Sequence, residues 1–185
     1  MRLTLCILCL VLAMLAPGTG HAEEAPVVVV GDAGPRIDAH ASIRIRASRG
    51  AIWAILSSCP EALKIVPSLK GCDVLARAPD GSWERIWQSM EYFRFLPRVK
   101  FEVKVSYVPP ASVTFERVSG ALVSLRGTWI LQSEGGDTIA HYEVAVEPGL
   151  WVPNWIVRAA LKHDLPKMMQ ALRSEAESTH PENPG

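Results

Sequence analysis

The order of its sequence patterns constrains this chain most: a short helical segment near the start, then a run of alternating strands, and finally one long helical segment. An antiparallel sheet buries one face against another layer of structure, and here few helical residues are available to form that layer. A curved sheet closed by a single helix cannot fill its own concave side. The order therefore predicts an α+β fold that encloses an apolar cavity.

The first residues have the pattern of a targeting segment. Arg2 precedes an apolar run over residues 3–15, and Pro17 and Gly18 follow before small residues that end at Ala22. This is the layout of a secretory signal peptide, and the run is shorter than the roughly 20 apolar residues of a membrane-spanning helix. We expect cleavage near Ala22 and a periplasmic or secreted protein.

Charge bears on the possible partners of the chain, and cysteine content bears on its possible disulfides. Its 19 basic and 19 acidic residues leave no positive excess for neutralising phosphates, so we do not expect nucleic acid as a partner. Cys59 and Cys72 remain after signal cleavage, and export would place them where disulfides persist. A Cys59–Cys72 disulfide is favoured over two buried thiols.

Periodicity and turn residues divide the chain into elements. Ser48 is expected to cap the first of two short helices, which are separated at Cys59 and Pro60. The last helix is expected from Pro153 to about Glu177. The expected strands lie at residues 27–30, 37–46, 72–76, 83–93, 99–107, 113–115, 123–131 and 140–146.

The expected divisions are a signal peptide (1–22), an extension with a short strand (23–36), the main domain (37–178) and a disordered tail (179–185).

Inward-facing side chains of the strands and the last helix are the candidate ligand contacts, because ligand sites are usually apolar pockets with a few polar groups. Tyr142, Gln88 and Asp164 could supply those polar groups. The candidate ligand-binding residues are Met90, Phe101, Val103, Phe115, Trp129, Leu131, Tyr142, Val144, Val157, Leu161, Leu165 and Met168.

Aromatic residues at the start of the last helix form a separate group. Trp155 and Ile156 fall on a side of the helix away from its apolar stripe, and Trp151 comes just before them. We expect these three residues to be exposed at a pocket mouth or in transient contact with a membrane. Packing under a neighbouring loop is the alternative.

Reactive motifs are scarce in this sequence. It has no His-Glu-x-x-His, no Gly-x-Ser-x-Gly and no phosphate-binding glycine loop, so no metal, cofactor or catalytic residue is assigned. His163 lies off the apolar stripe of the last helix and is expected to be exposed. Asp164 follows directly, and neighbours one apart on a helix are not expected to face each other, which disfavours a His–Asp catalytic pair.

Three segments carry a resemblance to a known family. They are residues 52–56, residues 65–72, and the pair Glu147-Pro148 followed by residues 151–153. In these segments the chain resembles an exported member of the START-like superfamily of polyketide cyclase/dehydrase and coenzyme-Q-binding proteins. The resemblance implies a helix-grip fold, in which a curved seven-stranded antiparallel sheet wraps around a long C-terminal helix. Pro166 departs from the uninterrupted last helix of that family and is expected to kink it.

The resemblance also implies a tunnel for lipids, isoprenoids such as quinones, or polyketides. We expect a binding or carrier protein for such a ligand rather than an enzyme. The alternative is a cyclase-like enzyme that uses Tyr142, Asp164 or Glu91 for proton transfer. A third hypothesis is an interaction module that uses exposed Trp155, and the oligomeric state stays open.

Overall fold

The computed structural model describes residues 24–92, 96–149 and 152–179. The expected signal peptide and residues 180–185 of the expected tail lie outside the described residues. The strands are β1 (Val27–Ala33), β2 (Arg36–Ile45), β3 (Leu69–Arg77), β4 (Trp83–Met90), β5 (Val99–Val108), β6 (Ser112–Gly120), β7 (Ser124–Glu134) and β8 (Asp137–Glu147). The helices are α1 (Arg49–Leu56), α2 (Cys59–Ile65) and α3 (Asn154–Thr179).

All eight strands belong to one antiparallel sheet in the order β1-β2-β8-β7-β6-β5-β4-β3. After β2 the chain crosses through α1 and α2 to the far edge, then returns strand by strand until β8 pairs with β2. The family resemblance implied seven strands. The eighth is β1, the strand of the N-terminal extension, which pairs with β2 on its outer side.

Alternation correctly predicted the buried face of most strands. On β2, the odd-numbered apolar residues from Ile37 to Ile45 are each at most 5% exposed. Both faces of β4 carry apolar residues, and the structure turns Ile86 and Met90 inward. On its other face, Trp87 lies over Gly71 of β3, where an added side chain would meet the indole ring. Phe93 of the same expected strand lies outside the described residues.

The first short helix begins where the sequence predicts, but the break before the second lies at residues 57–58 and not at Cys59 and Pro60, which are already helical. The Ser48 side chain accepts a hydrogen bond from the Ala51 amide at 3.3 Å and so caps α1. The Ser58 side chain caps α2 in the same way, and Pro60 occupies its first turn. These caps fix the two turns by which the chain crosses from β2 to β3.

The long helix α3 has 26 residues and spans about 39 Å. Its backbone approaches the sheet most closely at β2 and β1, and it also packs on α1 and α2. Small inward side chains on β2, Ala39 and Ala41, allow this close approach. The helix continues through Pro166. Among the described residues, no helix has the length and apolar character needed to cross a membrane.

The expected disulfide is present. Cys59 at the start of α2 is bonded to Cys72 in β3, with the two Cα atoms 5.5 Å apart and a sequence separation of 13. The bond closes the connection between α2 and the edge of the sheet. It therefore restricts the unfolded chain and holds α2 against β3.

Removing this disulfide should destabilise the fold. Replacing Cys59 and Cys72 together with serine should lower the free energy of unfolding by about 2–4 kcal/mol, because the unfolded chain regains loop entropy. Urea unfolding without reductant measures the change. Reductant should lower the stability of the wild-type protein and leave the variant unchanged, and equal stability of the two proteins in oxidising buffer would contradict the prediction.

Candidate functional site

A cavity of about 200 Å³ lies between the inner face of the sheet and helices α2 and α3. Since α3 approaches the sheet closely at β1 and β2, the inner faces of the other strands meet it across this space. The sheet residues that line the cavity are mostly aliphatic or aromatic. They include Ile86, Met90, Phe101, Val103, Val105, Val113, Phe115, Leu125, Trp129, Tyr142, Val144 and Val146.

Most candidate ligand contacts lie on the wall of this cavity. Ten of the twelve line it, and the exceptions are Leu131 and Val157. Leu131 is 2% exposed and belongs to the packed core beyond the end of the cavity lining. Val157 is half-buried on α3 and packs against that core, one turn before the lining residues Ala160 and Leu161.

Sequence periodicity did not assign one wall of the cavity. This wall is formed by Leu56, the α2 segment and the start of β3. No alternation of apolar and polar residues along a strand marks these residues as inward-facing. The wall exists because α1 and α2 cross the open end between β2 and β3. Its members are Leu56, Ser57, Ser58, Cys59, Ala62, Ile65, Val66, Pro67, Leu69 and Cys72. The Cys59–Cys72 disulfide is therefore part of the cavity wall.

An aromatic cluster covers the centre of the sheet. Phe115 of β6 pairs in register with Gly127 of β7, and its ring lies over that glycine. Because Gly127 has no side chain, Phe115 reaches across β7 and stacks on Tyr142 of β8 with ring centroids 6.1 Å apart. Trp129 packs against Tyr142 as well, with ring centroids 4.5 Å apart. The three rings form one rigid apolar wall.

Polar groups gather at one place in the cavity. Asp164 of α3 lines it, and its Oδ2 accepts a hydrogen bond from the hydroxyl of buried Ser68. Its Oδ1 lies 2.8 Å from Nδ1 of His163, whose Nε2 is 2.8 Å from the Lys167 ammonium. An ammonium can only donate, so Nε2 accepts and Nδ1 carries the proton that it donates to Asp164.

This contact corrects an expectation about His163. The side chain is 64% exposed, as predicted, but it does contact Asp164, because the imidazole folds along the helix surface towards the carboxylate. The expectation that adjacent residues would not meet was wrong. His163 does not line the cavity. It therefore orients Asp164 from the solvent side.

Two tyrosines line the same cavity as Asp164. They are Tyr92, just after β4, and Tyr142. Tyr92 is 37% exposed, and its partial desolvation, with a further contribution from the negative charge of Asp164, raises the pKa of its phenol. Burial, with a smaller contribution from Tyr92, raises the pKa of Tyr142 in the same direction. Both phenols therefore stay protonated and remain hydrogen-bond donors.

The third tyrosine has a structural partner. The Tyr107 hydroxyl donates to Glu84 Oε2 at 3.0 Å, and the same carboxylate accepts from Arg77 at 2.5 Å. Burial first, and then the bond to Glu84, raise the pKa of Tyr107. Glu84 is only 6% exposed, so this network satisfies a buried charge rather than presenting it to a ligand.

The residues expected at a pocket mouth or membrane contact differ in their exposure. Trp155 is 63% exposed and does not line the cavity, and Trp151 lies outside the described residues. Ile156 is 8% exposed, so its expected exposure was wrong. The rotation of α3 on β1 and β2 turns Ile156 inward, on the same face as Ala160.

Of the other polar candidates, Gln88 lines the cavity and Glu91 does not. The Glu91 carboxylate bonds to Arg98 at 2.7 Å, which leaves it in a surface ion pair. Within the part of the chain that the structure describes, no group of three His, Cys, Asp or Glu side chains is arranged to hold a metal ion.

The fold and the cavity define a START-like helix-grip protein. A family model for polyketide cyclase / dehydrase and lipid transport proteins matches residues 45–173, and the chain belongs to this family. The match covers the elements from the end of β2 to the second half of α3. A comparison with curated proteins gives no significant sequence match.

Solved structures with this fold have low sequence identity to the chain. A STAR-related lipid transfer protein from Xanthomonas axonopodis has a TM-score of 0.71 and 15% identity, over 83% of this chain and 94% of that one. A START superfamily protein from Mycobacterium smegmatis has a TM-score of 0.65 and 20% identity, over 84% and 99%. The Zhui aromatase/cyclase from Streptomyces sp. R1128 has a TM-score of 0.66 and 11% identity, over 81% and 99%. These similarities establish the fold.

The contact between Gly127 and Phe115 should be sensitive to one methyl group. Replacing Gly127 with alanine would place a Cβ against the Phe115 ring and the Glu143 carbonyl oxygen. We expect the free energy of unfolding to fall by about 1–3 kcal/mol, since the added group overpacks the sheet. Gly31→Ala is the matched control, because a Cβ there meets no atom within 4 Å. Equal stabilities of the two variants by urea unfolding would refute the role given to Gly127.

Proposed function

We propose that this protein is an exported carrier that binds a hydrophobic ligand between the inner face of the sheet and α3. The observation that carries the proposal is the cavity itself, walled by aliphatic side chains and by the aromatic cluster of Phe115, Trp129 and Tyr142. Apolar ligand surface gains free energy on leaving water, and a preformed wall avoids the cost of ordering side chains. Lipids, isoprenoids and quinones have surfaces of this kind.

Membership of a family that includes lipid transport proteins supports this proposal. The structural similarity to a STAR-related lipid transfer protein is consistent with it. Catalysis is the second candidate, because the family description includes cyclases and the Zhui aromatase/cyclase has the same fold. A bound polyketide or aromatic would then need a proton-transfer group in the cavity.

The contacts of the polar residues favour binding over proton transfer. Both oxygens of Asp164 already accept hydrogen bonds, from Ser68 and His163. The raised pKa of Tyr142 makes that phenol a weaker acid than an ordinary tyrosine. Glu91, the third candidate, is held by Arg98 away from the cavity. These groups suit recognition of a ligand oxygen better than general acid–base catalysis.

A carrier should retain ligand through purification. We expect a reproducible adduct in the native mass spectrum of detergent-free protein, lost under denaturing conditions. Leu161→Lys should abolish the adduct because it places an ammonium in the apolar cavity. Leu63→Lys is the matched control, since Leu63 is 42% exposed on α2 and does not line the cavity.

Cooperative thermal unfolding of Leu161→Lys is required for this comparison, because it shows that the variant still folds. Adduct on the folded Leu161→Lys protein would contradict the cavity assignment. A bare wild-type mass that persists after exposure to a lipid extract would contradict the carrier function and favour the cyclase alternative.

Export is the second part of the proposal, and it rests on residues 1–22 of the sequence. Expressed with these residues in a Gram-negative host, the chain should appear in the periplasmic fraction with a mass that begins at Glu23. Replacing Ile7 and Leu10 with arginine interrupts the apolar run and should leave the full-length chain in the cytoplasm. A wild-type protein that retains Met1 in the cytoplasmic fraction would refute this part.

A further inference from the structure

The charges around the cavity restrict what kind of hydrophobic ligand it can take. Among the described residues that line it, only Asp164 belongs to the types Asp, Glu, Lys, Arg and His. A ligand anion in this cavity would therefore meet a like charge, and no described lining residue is a cation that could pair with it. Removing an anion from water without a partner is costly.

The two basic side chains linked to Asp164 by hydrogen bonds do not compensate for this arrangement. His163 and Lys167 lie on the solvent side of Asp164, and neither lines the cavity. The His163 ring accepts from Lys167 at Nε2, and the Lys167 ammonium is exposed to water, which screens its charge. The inner side of Asp164 thus presents negative charge and acceptor oxygens to the cavity.

The two tyrosines provide the complementary donors. No hydrogen bond within the described structure occupies the hydroxyl of Tyr92 or of Tyr142, in contrast to Tyr107, whose hydroxyl is bonded to Glu84. The pKa of both phenols is raised, so both stay protonated. Tyr142 lies among apolar side chains, which disfavour a ligand anion beside it, whereas Tyr92 is 37% exposed. Each Asp164 oxygen has a second lone pair that remains able to accept.

From these contacts we propose that the cavity selects an uncharged hydrophobic ligand with a hydroxyl or carbonyl oxygen, held by Tyr92, Tyr142 and Asp164, and rejects fatty-acid and other anionic lipids. The tyrosines donate to the ligand oxygen, and a ligand hydroxyl donates in turn to Asp164. The apolar remainder of the ligand lies along the aromatic cluster. This inference rests on the proposed function and specifies the ligand class of the same site.

The test compares two probes with the same chain and different head groups. Decanol and decanoate are titrated into delipidated full-length mature protein by calorimetry at pH 8, where decanoate is an anion. We expect decanol to bind at least about tenfold more tightly than decanoate. A factor of this size corresponds to one hydrogen bond that decanoate loses or to one repulsive contact that it makes. Equal affinities, or tighter binding of decanoate, would overturn the inference and leave the carrier function standing. Binding of neither probe, together with a bare native mass after exposure to a lipid extract, would overturn both.

Variants separate the roles of the three residues. Asp164→Asn keeps an oxygen that can accept from Ser68 but removes the charge, so decanoate affinity should rise at least about tenfold while decanol affinity changes little. Asp73→Asn is the matched control, because Asp73 is exposed on β3 and does not line the cavity. An unchanged preference in a folded Asp164→Asn protein would refute the role of Asp164.

The tyrosines are tested by removing both hydroxyls. Tyr92→Phe with Tyr142→Phe should weaken decanol binding about tenfold or more, whereas the affinity for 1-chlorodecane, which has no oxygen, should stay within about twofold. The apolar probe reports the state of the cavity wall in the same protein. Equal losses for both probes would show that the rings, and not the hydroxyls, determine binding, and would overturn the proposed donor role.

Discussion

One long helix, with two short ones beside it, has to cover the inner face of an eight-stranded sheet, and the rest of the structure depends on how the long helix does so. The helix packs closely where β2 presents the small side chains Ala39 and Ala41. Beyond β2 the inner faces of the strands meet α3 across a space of about 200 Å³. An empty space in a protein interior forfeits van der Waals contacts, so a fold that retains one gives up stability unless a ligand restores them.

The wall of that space is held in shape by covalent and steric constraints. At one side, the Cys59–Cys72 disulfide fixes α2 against β3. At the centre, Gly127 leaves a gap in β7 through which Phe115 and Tyr142 meet. Both features keep the cavity preformed. A preformed apolar site loses little conformational entropy when a ligand enters, which suits binding more than a reaction that needs mobile groups.

The electrostatics of the cavity follow from its low polarity. The partly buried carboxylate of Asp164 is stabilised because Ser68 and His163 both donate to it. A second buried network, Glu84 with Arg77 and Tyr107, is satisfied internally. The two networks differ in one respect that matters for function. Glu84 has a cationic partner, whereas Asp164 presents its charge to a cavity that two phenols also line.

Local patterns determined much of this protein, because alternation and helical spacing report which face of an element is apolar. The sequence by itself predicted the order of strands and helices, the cap of α1, the disulfide, and ten of the twelve residues placed on the cavity wall. It also predicted the family, through short segments around α1, α2 and the start of α3.

Only the tertiary structure decided how α3 is rotated and where α2 lies. That rotation buries Ile156, leaves Val157 off the cavity wall and brings Asp164 to Ser68, which is 96 residues away in sequence. The packing of α2 adds a wall that no strand pattern marks. These features depend on contacts between distant segments, and periodicity within one element carries no information about them.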